Sequence, residues 1–289
     1  TWSNILKNPN HRRIGVLGYE ITLAPGANFS IEFTDQFRGK TSAVFSILIS
    51  GTADSIPFSL SVPGKLKESK PLIDGVVQYI FEAPEIPKKI AFSVNQECAL
   101  WGIRFESDSG IIYQQCGVVG AQFTHLLSFQ KDIIGLLSQE KPDIILFSYG
   151  TNESYSTLDS IAYEKQYVQF LKDIQRNLPE TSILITNAPD TRSGGKVPKS
   201  ELLVNRILKR IAEASAVSYY DVNLAMGAWG SHYIWNDNAL FLKDQLHFNK
   251  KGGVLLGQLI ERAILKAGGF DASIINPLEK RIDASFPLP

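Results

Sequence analysis

The sequence predicts two folds in one chain: an all-β sandwich or jelly roll first and, after Gly110, an α/β unit built around a parallel sheet. Up to about residue 106 the chain is a series of short β-branched and aromatic runs, cut by turn residues at fairly even spacing. After Gly110 apolar β-runs alternate with longer helical stretches, the pattern of βα units. With 289 residues, 44% of them hydrophobic, the chain can bury one large core or two modest ones.

In the first part, strands are expected over 14–23, 28–33, 43–49, 58–62, 76–81, 89–94 and 100–105, with Pro25-Gly26, Gly51, Pro63-Gly64 and Pro84 marking turns. Phe29, Ile31 and Phe33 alternate with Ser30 and Glu32, as a strand with one buried face requires. The second part reads as strand 111–116, helix 121–137, strand 144–149, helix 160–177 and strand 182–186. A helix over 199–214, a strand over 218–221 and a closing helix over 252–266 follow. Pro142 and Pro179 each precede a strand, where a helix must stop. The apolar run from Ile144 to Phe147 suits a strand covered on both faces. The tail 268–289, rich in proline, is expected along the surface as irregular chain.

Charge excludes some function classes. The 29 Lys and Arg balance 29 Asp and Glu, so there is no electrostatic reason to expect nucleic acid or an anionic membrane as partner. No window approaches the roughly 18 consecutive apolar residues of a spanning helix, so membrane insertion is not expected, and the N-terminus has no signal-like apolar run. The chain begins at Thr1, not at Met, and upstream sequence is expected to have been removed. Cys98 and Cys116 read as two small buried hydrophobes, with a single cross-strand disulfide as the alternative. Neither has a His at metal-ligand spacing.

Three short segments fall at strand ends in the second part, where an open α/β sheet builds its ligand site: Gly117-Val118-Val119-Gly120, Gly150-Thr151-Asn152-Glu153 and Asp244-Gln245-Leu246-His247. The spacing of Asp244 and His247 lets a carboxylate hold one ring nitrogen protonated and leave the other as a general base. Read alone, a helix-capping Asp with a surface His is the simpler account. The Asn152 amide can donate to an oxyanion from a turn that Gly150 permits, or cap the next helix. Gly117 and Gly120 let a backbone N–H approach the same oxygen, or only allow a tight strand-to-helix turn.

Together these residues resemble the SGNH (GDSL-type) hydrolases, whose sequence blocks supply Ser, Gly, Asn and His. Gly117 matches the block-two glycine, Asn152 the Gly-x-Asn of block three, and Asp244 with His247 the Asp-x-x-His of block five. The resemblance covers 110–266 and is greatest to two-domain bacterial members similar to peptidoglycan O-acetylesterases, in which a carbohydrate-binding-like β-domain interrupts the catalytic fold. It implies a three-layer flavodoxin-like α/β domain at 110–289, a carbohydrate-binding-like sandwich at 1–109, and catalytic roles for Asp244, His247, Gly117 and Asn152. It implies no metal or organic cofactor, an acylated glycan as substrate, and a periplasmic or extracellular location.

The family's Gly-Asp-Ser nucleophile motif is absent. Asp108-Ser109-Gly110 reads as a hairpin or linker turn and lies too near Gly117 for a strand, nucleophile turn and helix. Four parallel strands are legible where the family has five in the order 2-1-3-4-5. The absent one is the first, which sits in the middle, and without it buried backbone groups would go unpaired. A preceding segment carrying that strand and the nucleophile is therefore expected in the full-length protein.

The function implied is a serine esterase that removes a small acyl group, most simply acetyl, from a carbohydrate or peptidoglycan. A non-catalytic glycan-binding protein that lacks the nucleophile is the alternative, and an acyltransferase using the same site is a third reading. Trp2, Trp101, Trp229, Tyr233 and Trp235 are candidate sugar-stacking residues, although core filling is simpler for any one of them. The loop over 229–235 is expected to wall the cleft. His11, His125 and His232 read as structural or exposed, and Glu153 as the acidic start of a helix.

Overall fold

The computed structural model describes residues 2–4, 19–32, 41–50, 55–61, 65–73, 75–85, 88–106 and 111–271, together with Ser273, Lys280 and Ile282. Ser109 and His11 lie outside the described residues. The chain divides into two compact units, Thr1–Lys141 and Pro142–Pro289.

The strands of the first unit are β1 (Trp2–Asn4), β2 (Tyr19–Leu23), β3 (Asn28–Glu32), β4 (Thr41–Ser50), β5 (Phe58–Leu60), β6 (Lys65–Pro71), β7 (Val76–Glu85), β8 (Lys89–Val94) and β9 (Cys98–Glu106). They form two antiparallel sheets, ordered β1-β2-β9-β4-β7-β6 and β3-β8-β5. Alternate residues build the shared core: Ile47 and Ile49, and Val77, Tyr79 and Phe81, meet Ile90, Phe92 and Val94 of the smaller sheet. Phe29 stacks on Phe92 with ring centroids 4.5 Å apart, and β3 alternates exposed and half-buried residues as its sequence predicts. Two strands are not in the sequence reading. β1 is too short to show a period, and β6, Lys-Leu-Lys-Glu-Ser-Lys-Pro, is an edge strand whose charge conceals it.

The single helix expected over 121–137 is two, α1 (Phe123–Leu127) and α2 (Gln130–Glu140), because Ser128 closes the first and buried Phe129 opens the second. Leu136 of α2 packs with Leu48, Leu72, Val76 and Trp101, so Trp101 is a core residue and not a sugar platform. A Cβ at Gly135 would lie 2.8 Å from Ile73 Cγ2, so glycine there sets how closely α2 approaches. Arg104 of β9 forms a two-point ion pair with Glu140 at the end of α2. Cys98 is buried but Cys116 is exposed, and both are free thiols, so neither the disulfide nor the buried pair is formed.

Residues 111–116 are not a strand. Ile111 is 98% exposed and Tyr113 79%. A strand is defined by its ladder, and among the described residues nothing pairs with this stretch.

The second unit contains β10 (Ile144–Ser148), α3 (Thr151–Ser154), α4 (Ser160–Asn177), β11 (Ser182–Thr186), α5 (Glu201–Ser215), β12 (Ser218–Tyr220), α6 (Val222–Ala225), α7 (Ser231–Asp237) and α8 (Lys250–Ala267). Its sheet is parallel, in the order β10-β11-β12. Helix α4 begins where the Asp159 carboxylate accepts the N–H groups of Ile161 and Ala162, and it buries Tyr163, Tyr167, Phe170, Leu171 and Ile174 along one stripe. Phe147 meets Tyr167 and Phe170 edge-on, so α4 covers one face of β10. The other face is open, with Ile144 47% and Leu146 37% exposed. The expected two-sided burial fails because, among the described residues, nothing packs on that face. Trp235, Met226, Leu240, Phe241, Leu255 and Leu259 form a separate core that includes fully buried Ile282, so at least that residue of the tail is interior. Among the described residues no helix is long and apolar enough to cross a membrane.

Candidate active site

The Asp244–His247 turn is organised by one carboxylate. Asp244 Oδ1 accepts the N–H groups of Leu246 and His247, each at 3.0 Å, and Oδ2 lies 2.7 Å from His247 Nδ1. The N–H donors and the imidazole hold the Asp244 carboxyl down at about 2, from 3.8, with the His247 N–H first among them. A carboxylate at Nδ1 places the ring proton there and leaves Nε2 as the acceptor. Among the described residues Nε2 has no hydrogen-bond partner, and the His247 side chain is 59% exposed. Asp244 does not cap a helix: the cap of α8 is Asn249, which accepts the Gly252 N–H.

The base of the turn is rigid. Leu242 N–H donates to His247 O at 2.7 Å, and Phe241 pairs with Phe248, their rings stacked 4.8 Å apart. Asn249 Nδ2 donates to the carbonyls of Ala239 and Phe241.

Asn152 lies in α3, directly after β10. Gly150, at φ 117°, makes the turn; a Cβ there would meet Leu208 Cδ1 at 2.9 Å. Glu153 lies in the first turn of α3, as its sequence reading has it; it is buried, and its carboxylate accepts the Gly150 N–H at 2.9 Å, which also fixes this turn. The caps of α3 and α4 are Gly150 and Asp159, so Asn152 caps neither. Half-buried Asn152 thus follows the carboxyl end of β10, while the loop after the carboxyl end of neighbouring β11 holds the Asp244 turn through Arg192 N–H to Gln245 O and Gly194 N–H to Asp244 O. Gly117 belongs to the first unit, exposed beside a turn closed by Ala121 N–H to Val118 O, with Gly120 at φ 79°. A Cβ at Gly117 would meet only Gln115 Nε2, at 3.7 Å.

Sequence similarity decides the family. The profile of the GDSL-like lipase/acylhydrolase family matches residues 95–253, more than half of the chain. The chain belongs to this family. It is accordingly a carboxylic-ester hydrolase by family, and its parallel-sheet unit is the part that carries the Asp-x-x-His turn. Among solved structures, a peptidoglycan O-acetylesterase is similar at a TM-score of 0.71 and 20% identity, covering 90% of this chain and 75% of that one, which shows a shared fold. A lipase/acylhydrolase from Enterococcus faecalis (TM-score 0.37, 19% identity, 50% of this chain and 71% of that one) is also similar. So is a family two carbohydrate esterase from Clostridium thermocellum in complex with cellohexaose (0.36, 11%, 89% and 98%). Both scores are too low to add to the fold assignment. No curated protein matches the sequence.

The acylhydrolase also buries a charged cluster that the sequence does not reveal. Asp190 and Arg192 pair at 2.5 Å, and Glu201 Oε2 lies 3.8 Å from the same guanidinium nitrogen. Burial pushes the Glu201 carboxyl up to about 8, reinforced by the Asp190 charge and opposed by Arg192. Near neutrality the cluster therefore holds one cation and one anion. Between about 4.5 and about 8 the native acylhydrolase keeps a proton that the unfolded chain has lost. This contribution to stability is full below about 4.5 and is lost as pH rises through about 8. Denaturant midpoints measured across that range are expected to fall for the native enzyme and to fall less for Glu201→Gln, which keeps the acceptor for Asn223 Nδ2. Equal slopes would refute it. His232, buried beside Asp190, is likewise structural, whereas Trp229 (46%) and Tyr233 (65%) are exposed and Trp235 is core.

Proposed function

We propose that this acylhydrolase removes a small acyl group, most simply acetyl, from a carbohydrate or peptidoglycan by serine catalysis. The observation that carries the reading is the 2.7 Å contact of Asp244 Oδ2 with His247 Nδ1, with Nε2 left open. Nε2 takes the proton of a serine hydroxyl as its oxygen bonds to the ester carbonyl carbon. The same proton then goes to the departing sugar oxygen as the C–O bond breaks. Water, deprotonated by Nε2, releases the acyl group and returns the proton to serine. The Asn152 amide and the Gly117 N–H are the oxyanion donors in this reading. The fold shared with a peptidoglycan O-acetylesterase supports the substrate class. Residues 1–109 would serve as a carbohydrate-binding-like domain and 110–289 as the catalytic domain, and exposed Trp229 and Tyr233 suit a sugar ring. The substrate class suggests a periplasmic or extracellular protein.

The serine is assigned to a segment upstream of Thr1 that also adds a strand to the sheet. What supports this, among the described residues, is that β10 has no partner on its outer edge, that its face with Ile144 and Leu146 is exposed, and that 111–116 pair with no strand. Among the described residues no serine hydrogen-bonds to Nε2, and this favours the second reading, a glycan-binding protein without turnover. A fluorophosphonate probe with peptide mapping separates them. An adduct upstream of Thr1 is the expected result. An adduct on Ser109 would move the nucleophile into this chain, and no adduct together with no ester hydrolysis would leave the binder.

A further inference from the structure

We infer that Arg192, clamped by Asp190, is a positioning residue that holds the Asp244–His247 turn in its working geometry. The inference rests on the catalytic reading of that pair. Arg192 is anchored at both ends. Its guanidinium is 3% exposed and donates to Asp190 Oδ1 at 2.5 Å and to Thr191 O at 2.7 Å. Its main-chain N–H donates to Gln245 O at 2.9 Å, and two residues on Gly194 N–H donates to Asp244 O at 3.0 Å. The two bonds fasten the loop after β11 to the first two residues of the turn.

The turn needs this hold. Gln245, between the two functional residues, has φ 59°, a left-handed conformation that residues other than glycine avoid and that persists only where neighbouring contacts over-determine it. Arg192 supplies one of those contacts, and Leu242 O, accepting the Gln245 N–H at 3.0 Å, the other.

A buried ion pair is a poor stabiliser compared with apolar packing, so stability alone does not account for it. A buried, permanently charged guanidinium whose Nη1 donates both to Asp190 Oδ1 and to Thr191 O does fix the loop's geometry. Asp190 extends the brace: its Oδ2 accepts the N–H groups of Gly230 at 2.7 Å and His232 at 3.1 Å, either side of Ser231. Trp229, the residue before, lies with its ring centroid 5.1 Å from the Arg192 guanidinium carbon. One buried carboxylate and one guanidinium thereby connect the acid–base turn with an exposed aromatic ring.

The test reads Asp244 directly, by carboxyl-carbon NMR titration of the full-length protein, upstream segment included, beside hydrolysis of a small acetyl ester. Arg192→Met is expected to raise the Asp244 titration from about 2 towards 3.8 as the donors around it loosen. It is also expected to lower kcat by about tenfold or more with little change in KM. Arg192→Lys, which keeps the charge without the planar guanidinium, restores both in part, and it decides the matter if the Met variant does not fold. Arg210→Gln, which breaks only an exposed ion pair with Glu164, leaves both unchanged. A folded Arg192 variant in which Asp244 still titrates at the native value overturns the inference. The two readings fail separately. If the parent protein hydrolyses no ester but Asp244 moves, positioning stands and the esterase reading falls; if the ester is hydrolysed and Asp244 stays, the reverse holds.

Discussion

Replacing His247 with alanine is expected to lower ester turnover by about 10²–10⁴-fold in the full-length enzyme, the range set by a positioned general acid–base. The fold should survive the change. The ring is 59% exposed, and the main-chain N–H that bonds Asp244 remains. Affinity for an unreactive glycan should stay as it was, because the substitution removes a proton carrier and no binding wall. Turnover of an acetyl ester, measured beside glycan binding by calorimetry, separates the alternatives. Turnover that persists within a few fold would end the role of His247. The pair also has a wide working range, since a carboxyl held at about 2 stays ionised through mildly acidic pH. By linkage, the Asp244 contribution is present above its ordinary 3.8 and is lost as pH falls through about 2.

Gly252→Ala is expected to destabilise the protein by about 2–4 kcal/mol, a large effect for one methyl group. The added Cβ would lie 2.1 Å from the Leu240 carbonyl oxygen and 3.1 Å from Leu240 Cβ, and Leu240 is fully buried with Trp235, Leu255 and Leu259. No flexible side chain can yield there, so the start of α8 must retreat from the backbone ahead of the Asp244 turn. Retreat strains three bonds at once: Asn249 N–H to Leu240 O, and Asn249 Nδ2 to the carbonyls of Ala239 and Phe241. The better helix propensity of alanine, about 1 kcal/mol, offsets only part of this. Gly253 is the internal control. Its neighbour space is empty and it is exposed, so Gly253→Ala should stabilise by up to about 1 kcal/mol. Denaturant unfolding of the two variants checks both signs, and an unchanged midpoint for Gly252→Ala would refute the steric argument.

Where the sequence was legible, a local rule was enough. Helix α4 and strand β11 occupy the residues their periods predict, because Asp159, Pro179 and an apolar stripe bound them without help from elsewhere. The Asp-x-x-His spacing was readable for the same reason: the carboxylate reaches the imidazole within one turn. Most of the failures are long-range, the break between α1 and α2 at Ser128 and Phe129 being a local exception. Residues 111–116 have a strand's composition, but pairing is a property of two segments. β6 hides because its residues suit an edge rather than a core. Asp190, Arg192 and Glu201 leave no mark, since burial is conferred on them by other segments, such as the one 40 residues on whose Gly230 N–H Asp190 accepts. Nothing in a linear pattern distinguishes such a charge from a solvated one.

The β6 edge has a consequence for how molecules of this protein meet one another. The larger sheet of the first unit ends on one side in a strand of three residues and on the other in Lys65, Lys67 and Lys70, closed by Pro71. A second strand adding to this rim would meet a charged edge and would find one backbone N–H missing at the proline. Growth of the sheet from molecule to molecule is thus discouraged by the strand that looked least like one.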